Sequence, residues 1–337
     1  MGVLKRARCR ARLLLALAAV CAPPAAALET DQFYAWTDPP RDATAAVNAK
    51  FQAEIEGALE RVNAGRTPPS CHEVARRIMW RFRFVMFQNI EVWAMNTRLV
   101  ERVPRTPEEM ARYLDASIYG ERGPIDIGMS IPPSPTIQVA GVLMGTDKLG
   151  HFVSSGWRYY ERYRRARRRG LPAAEAEEHA IRTGILVERL ILGRATSGVF
   201  SLGDLEANHA GMRFYRDLCE GDSPWLVLEK GRWRMARPFD ISRYVGPEWD
   251  ESYQPNVYAE RRWRRVRPRL LAHCRDLLDP AVRARRAAYA SRERETPTER
   301  IVAELVAEGR LPDPERFTID RNCPEETARL ARSLPEP

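Results

Sequence analysis

The sequence predicts a mainly α-helical protein, a helical bundle with a small β-hairpin and an Arg-rich helical C-terminal region. Three observations predict it. Apolar residues recur at steps of three and four along the first two thirds of the chain, which lays a stripe on one face of each helix. Helix starts carry recognisable caps at Ser70-Cys71-His72-Glu73 and Thr106-Pro107-Glu108-Glu109. Paired strands are suggested at one place, where Trp225 to Glu229 and Arg232 to Met235 flank Lys230-Gly231.

Residues 1–27 read as an export signal. Lys5, Arg6, Arg8, Arg10 and Arg12 form a basic start, Leu13 to Val20 an apolar core, and Ala25-Ala26-Ala27 a small-residue cleavage site. The core is too short to span a bilayer, which takes roughly 20 residues. Acylation at Cys21 is one alternative, opposed by the bulky Val20 and by Pro23-Pro24, and an uncleaved anchor is another. The expected location is therefore periplasmic or outer-membrane-associated. Removing five basic residues lowers the formal charge from +9 to +4 (9 − 5), which argues against a nucleic-acid binder. Charges interrupt every later apolar run, so no transmembrane span is expected after cleavage. Cys71, Cys219, Cys274 and Cys323 then remain, enough for two disulfides in any of three pairings. None forms a Cys-x-x-Cys pair, which weakens zinc-ribbon and thioredoxin-like readings.

Residues 28–220 are expected to form the helical domain, with residues 221–337 as hairpin, loop and helical C-terminal appendage. Val47, Phe51, Ile55, Leu59 and Val62 stripe the first helix, and Asn63-Ala64-Gly65 ends it. Ser70 caps a second helix, with Glu73 reaching back in a capping box. A third begins at Pro107. The prolines from Ile131 to Pro135 mark a connection. Leu149, Phe152, Val153, Gly156, Tyr160 and Tyr163 stripe a further helix, opposite Asp147, His151, Ser154, Arg158 and Arg162. Thr146 is expected to cap it. Pro238 to Pro255 reads as an irregular loop, and Pro268, Pro280, Pro297 and Pro312 as breaks in the Arg-rich tail.

Three polar clusters interrupt apolar helical surroundings: Gly145 to Phe152, the pair Glu188-Arg189, and Ser201 to Gly211. Charge in an apolar helix is costly unless paired, so the clusters are expected to meet. Asp147 and His151 are four residues apart and can touch. Glu188 shares a face with Ile181, Ile185 and Leu192, and Lys148, His151 or Arg194 could neutralise it. Ser201 and Asp204 have capping-box spacing, with Asn208 on the same face as Asp204, while His209 points elsewhere. Gly150, Gly156 and Gly184 each weaken a helix unless another backbone packs closely. The candidate functional cluster is therefore Asp147, Lys148, His151, Glu188, Asp204 and Asn208. A divalent metal is considered on His151 with Asp147, Glu188 or Asp204, although no metal-ligand spacing such as His-Glu-x-x-His is present.

Asp147-Lys148-x-x-His151-Phe152, the helical Glu188, and Gly198-x-Phe-Ser201-x-x-Asp204-Leu-x-x-Asn208-x-x-Gly211 resemble the motif set of the YfiM-type family of predicted periplasmic lipoproteins. More distantly, the set is similar to the VanZ-like family. VanZ-like proteins span the membrane several times, unlike this chain, and the lipobox is degraded here. The resemblance implies shared polar positions at Asp147, Lys148, His151, Asp204 and Asn208, and no particular activity.

Seven arginines between Arg158 and Arg169, interleaved with Trp157, Tyr159, Tyr160 and Tyr163, and six between Arg261 and Arg269 around Trp263 suit an anionic envelope surface or lipid headgroups. The simpler reading is solvated faces balanced by Glu175, Glu177 and Glu178. The function expected from the sequence is a cell-envelope binding or structural protein whose polar centre fixes the fold or holds an anionic ligand. The alternative is an envelope hydrolase, metal-dependent or not, with His151 as general base, Asp147 orienting it, Glu188 supplying acid or metal ligation, and Asp204 and Asn208 positioning substrate.

Overall fold

The computed structural model describes residues 29–82, 89–120, 133–188 and 198–333. The signal-like segment, Cys21, Ile131, Pro132, Arg189, Leu192 and Arg194 lie outside the described residues. The fold is mainly α-helical, as expected. Helices α1 (Thr44–Asn63), α2 (Cys71–Arg81), α3 (Asn89–Asn96) and α4 (Pro107–Ala116) precede a hairpin of β1 (Thr136–Val139) and β2 (Val142–Gly145). The first stripe is buried as expected from Val47 to Leu59, with Val62 half-buried against the same core. The Ser70 hydroxyl accepts from the Glu73 amide, but the Glu73 side chain does not complete the box. It pairs instead with Arg76 and Arg77, whose guanidinium groups outcompete an exposed backbone amide.

The β1–β2 hairpin was not expected from the sequence. Its two-residue turn places Ala140 at φ 52° and Gly141 at φ 75°, the left-handed pair that matches the twist of the strands. Ala-Gly is a weaker turn signal than Asn-Gly, and the strands are almost wholly buried, so polar alternation is missing. The expected hairpin is present as β4 (Leu226–Glu229) and β5 (Arg232–Met235), turning through Lys230 at φ 49° and Gly231 at φ 76°.

From β2 the chain passes directly into α5 (Thr146–Gly150), a π-helical turn (His151–Ser155) and α6 (Gly156–Arg168). Thr146 is the first helical residue rather than the cap, because Gly145 occupies the extended cap position. Helix α7 (Ala173–Val187), strand β3 (Val199–Phe200) and helix α8 (Leu202–Asp217) follow. β3 pairs antiparallel with β6 (Val257–Tyr258), which joins the start of α8 to the C-terminal region. That region continues through α9 (Glu260–Leu270), α10 (Pro280–Ala290), α11 (Pro297–Ala307), α12 (Ile319–Asn322) and α13 (Pro324–Ser333). Pro280 and Pro297 occupy first helical turns as breaks should. Pro268 does not break α9. It lies inside the last turn, and the chain tightens into a 3-10 segment only from Leu271.

Helices α6 and α8 cross at a glycine pair. A Cβ built on Gly156 would stand 2.6 Å from the Gly211 Cα, and one on Gly211 would stand 1.9 Å from the Phe152 carbonyl oxygen. The same logic holds at Gly184, where the Tyr159 ring fills the space. Disulfides Cys71–Cys219 and Cys274–Cys323 select one of the three pairings. The first ties the start of α2 to the chain just beyond α8. Two apolar clusters fill the interior, one around Phe51, Phe152, Phe214 and Trp249, the other around Phe200, Leu205, Trp263 and Phe317. Both combine residues from before and after residue 220, so the C-terminal region helps to build the interior of the helical part. No described helix is long and apolar enough to cross a membrane.

Candidate functional site

Helix α5, the π turn and α8 deliver their polar residues to one interior point. Lys148 is fully buried on α5, with its Nζ 2.7 Å from Asp147 Oδ2, 2.8 Å from Asp204 Oδ1 and 2.6 Å from Glu251 Oε1. Burial alone would pull its pKa down. The three carboxylates overrule burial and hold the ammonium well above the usual lysine value. The stripe reading had placed Asp147 opposite the apolar face. It is nevertheless buried, because Thr30, from the N-terminal segment, covers it and donates to Oδ1 at 2.8 Å. Gly145 makes that contact sterically feasible: a Cβ there would lie 1.9 Å from Asp147 Oδ1 and 2.0 Å from Thr30 Oγ1.

Asp204 sits in the first turn of α8. Its backbone amide donates to the Ser201 hydroxyl, as the cap spacing predicts, but its carboxylate turns inward to Lys148 and His151. His151 opens the π turn, a helix irregularity that often coincides with functional positions. Its Nδ1 is 3.1 Å from Asn208 Oδ1 and its Nε2 is 3.4 Å from Asp204 Oδ2. The imidazole is therefore oriented by Asp204 and Asn208, not by Asp147 as the sequence suggested. Asp147 has both oxygens engaged, by Thr30 and Lys148. The His151 side chain keeps 14% of its surface exposed, whereas that of Lys148 has none.

Glu188, at the end of α7, is buried. Desolvation raises its pKa, Asp204 adds to the rise, and Lys148 opposes it. His209 does point elsewhere, with its Nε2 2.6 Å from Glu177 Oε1. Glu177 is engaged by His209 and Arg216, and Glu178 by Arg182. Arg158, Arg165, Arg167, Arg168 and Arg169 present an exposed basic face.

Three contributors escaped the sequence reading. Glu251 accepts from Lys148, from Ser201 at 2.6 Å and from Asn256 at 2.9 Å. It lies in the irregular Pro238–Pro255 stretch, where no periodicity marks a buried position. Thr30 carries no signal of its own. Glu91 on α3 did carry one, a lone charge between Ile90 and Val92. Desolvation pushes its pKa up to about 8, with Asp147 and Asp204 adding to the rise.

Ligand atoms of Asp147, His151 and Asp204 all lie within 4.8 Å of one another. Glu188 is not in that group, which corrects its candidacy as a ligand. One imidazole nitrogen with two carboxylate oxygens is a donor set suited to zinc or manganese. Three carboxylates surround one ammonium beside that group.

No family model matches this chain, and no curated protein or solved structure matches it. The resemblance to envelope families accordingly stands on the motif residues alone.

Proposed function

We propose that this is an exported cell-envelope protein whose interior acidic centre holds a divalent cation between Asp147, His151 and Asp204, in a binding or structural role. Charge balance carries the reading. Asp147, Asp204 and Glu251 against Lys148 leave a formal −2 (−3 + 1) among buried groups, and uncompensated buried charge costs several kcal/mol. A divalent cation cancels it. Asp204 Oδ1 is buried and ion-paired with Lys148, and takes no further hydrogen bond among the described residues. The geometry on His151 agrees as well. In the tautomer with Nδ1–H donating to Asn208, the lone pair of Nε2 faces a carboxylate oxygen, a contact that a metal ion would relieve.

The test is thermal unfolding of chelated protein during titration with zinc or manganese. The reading requires a saturable rise in the melting temperature that Asp204→Asn and His151→Ala abolish; no rise in the native chain refutes it. Export is checked by N-terminal sequencing of the envelope fraction, which should begin near Leu28; a chain that retains Met1 in the cytoplasm refutes that part.

A hydrolase is the second reading, favoured by one observation. His151 is the site residue with an exposed edge, and a carboxylate and an amide bracket it as a general base is bracketed. Turnover of an envelope substrate lost in His151→Ala, with folding retained, would move the conclusion to this reading.

A further inference from the structure

A cavity lies beside the acidic centre and shares no residue with it. It has a volume of about 590 Å³ and sits between the start of α8, the turn at Pro247–Trp249 with the loop beyond, helix α11 and the segment Asp313–Asp320. Its floor is apolar, with Leu202 and Val302 buried. Its polar lining is one-sided: carboxylates outnumber guanidinium groups seven to two, and Arg286 is already paired with Asp320. Glu206, Glu248 and Glu299 stand close enough that the charge on Glu206 raises the pKa of the other two, after burial, which is the larger cause in both. Glu206 and Glu299 are hydrogen-bonded to Thr296, and Glu299 also to Gln254. These partners are neutral; Glu206 also faces the His209 imidazole at 4.0 Å, whereas Glu248 and Glu299 have no paired cation among the described residues.

Two residues of the same lining carry a buried polar atom without a hydrogen-bond partner among the described residues. Thr298 is 1% exposed and its Oγ1 makes no hydrogen bond; Gln254 Oε1 is likewise buried and receives none. Carboxylates, a carbonyl oxygen and a hydroxyl together form an acceptor-rich lining over an apolar floor. A group made only of donors, carried on a hydrocarbon chain, complements it, and an ammonium is such a group. The space is far too large for a bare ion and falls in the range of pockets for small organic ligands. The geometry points to a binding site for an aliphatic amine, with the ammonium held by Glu248 and Glu299 beside Thr298 and the chain lying on Leu202 and Val302.

The proposal is independent of the metal reading, because neither carboxylate that it uses belongs to the Asp147–His151–Asp204 group. Calorimetry on the whole chain tests it with 1,8-diaminooctane as probe and octane-1,8-diol as its neutral counterpart. Saturable binding of the diamine is expected, with the diol weaker by about tenfold or more, the size of one lost charge-assisted hydrogen bond. The double variant Glu248→Gln/Glu299→Gln should lose a similar factor for the diamine. Glutamine at position 299 can still complete the cap with Thr296, so the variant is expected to fold. Equal affinity for diol and diamine, unchanged affinity in the double variant, or no saturable heat would each overturn the proposal.

Discussion

Removing the Lys148 ammonium leaves three buried carboxylates facing one another. Lys148→Met should therefore lower the unfolding free energy of chelated protein by about 3–5 kcal/mol, the usual loss when one partner of a buried ion pair is removed. Denaturant titration reads this directly, and a loss below about 1 kcal/mol would contradict it. Glu91 gives the pH dependence. Its folded pKa is raised to about 8 by burial and by Asp147 and Asp204, so the folded state binds a proton that the unfolded state releases. Its contribution is full below the unfolded value and is lost as pH rises through the folded one. Stability should fall between about pH 5 and pH 8, and Glu91→Gln should flatten that slope. A melting temperature in native chelated protein that is flat or rising across this window would refute the assignment. The legible residues share one signal: Asp147, Lys148, Glu188 and Asp204 are charges set in apolar helical surroundings. Glu91 carries that signal too. Thr30 and Glu251 do not, because only tertiary packing brings an N-terminal segment and an irregular loop against α5.

At the scale of elements, the close crossing of α6 and α8 depends on two glycines. Gly211→Ala drives a methyl into the Phe152 carbonyl, and the helices must separate. The expected cost is about 1–3 kcal/mol, typical of overpacking, with metal affinity reduced as well, because His151 lies in the π turn leading into α6 and Asn208 lies on α8. An alanine variant of native stability would show that the helices do not approach this closely. Helix starts and stripes were legible because each is written in a few neighbouring residues, as at Thr106 and along Val47 to Leu59. Where another partner or a neighbouring position competes, local rules misled. Glu73 went to arginines, Asp204 turned from capping to Lys148, and Thr146 yielded the cap to Gly145. The β1–β2 hairpin was hidden because its strands are buried on both faces and show no polar alternation.

Across the whole molecule, the acidic centre is built from widely separated stretches of the described chain. Thr30 comes from the N-terminal segment, Asp147, Lys148 and His151 from the middle, and Glu251 and Asn256 from beyond residue 220. Such a site closes only when the complete fold does, so loading it with a cation should stabilise the molecule as a unit. The central claim is that the buried charge deficit is met by a metal ion. Elemental analysis of protein purified without chelator tests it most directly. Close to one zinc or manganese per chain, reduced to background in Asp204→Asn, is the predicted result; a metal-free native protein that stays metal-free after incubation with either ion would contradict the account.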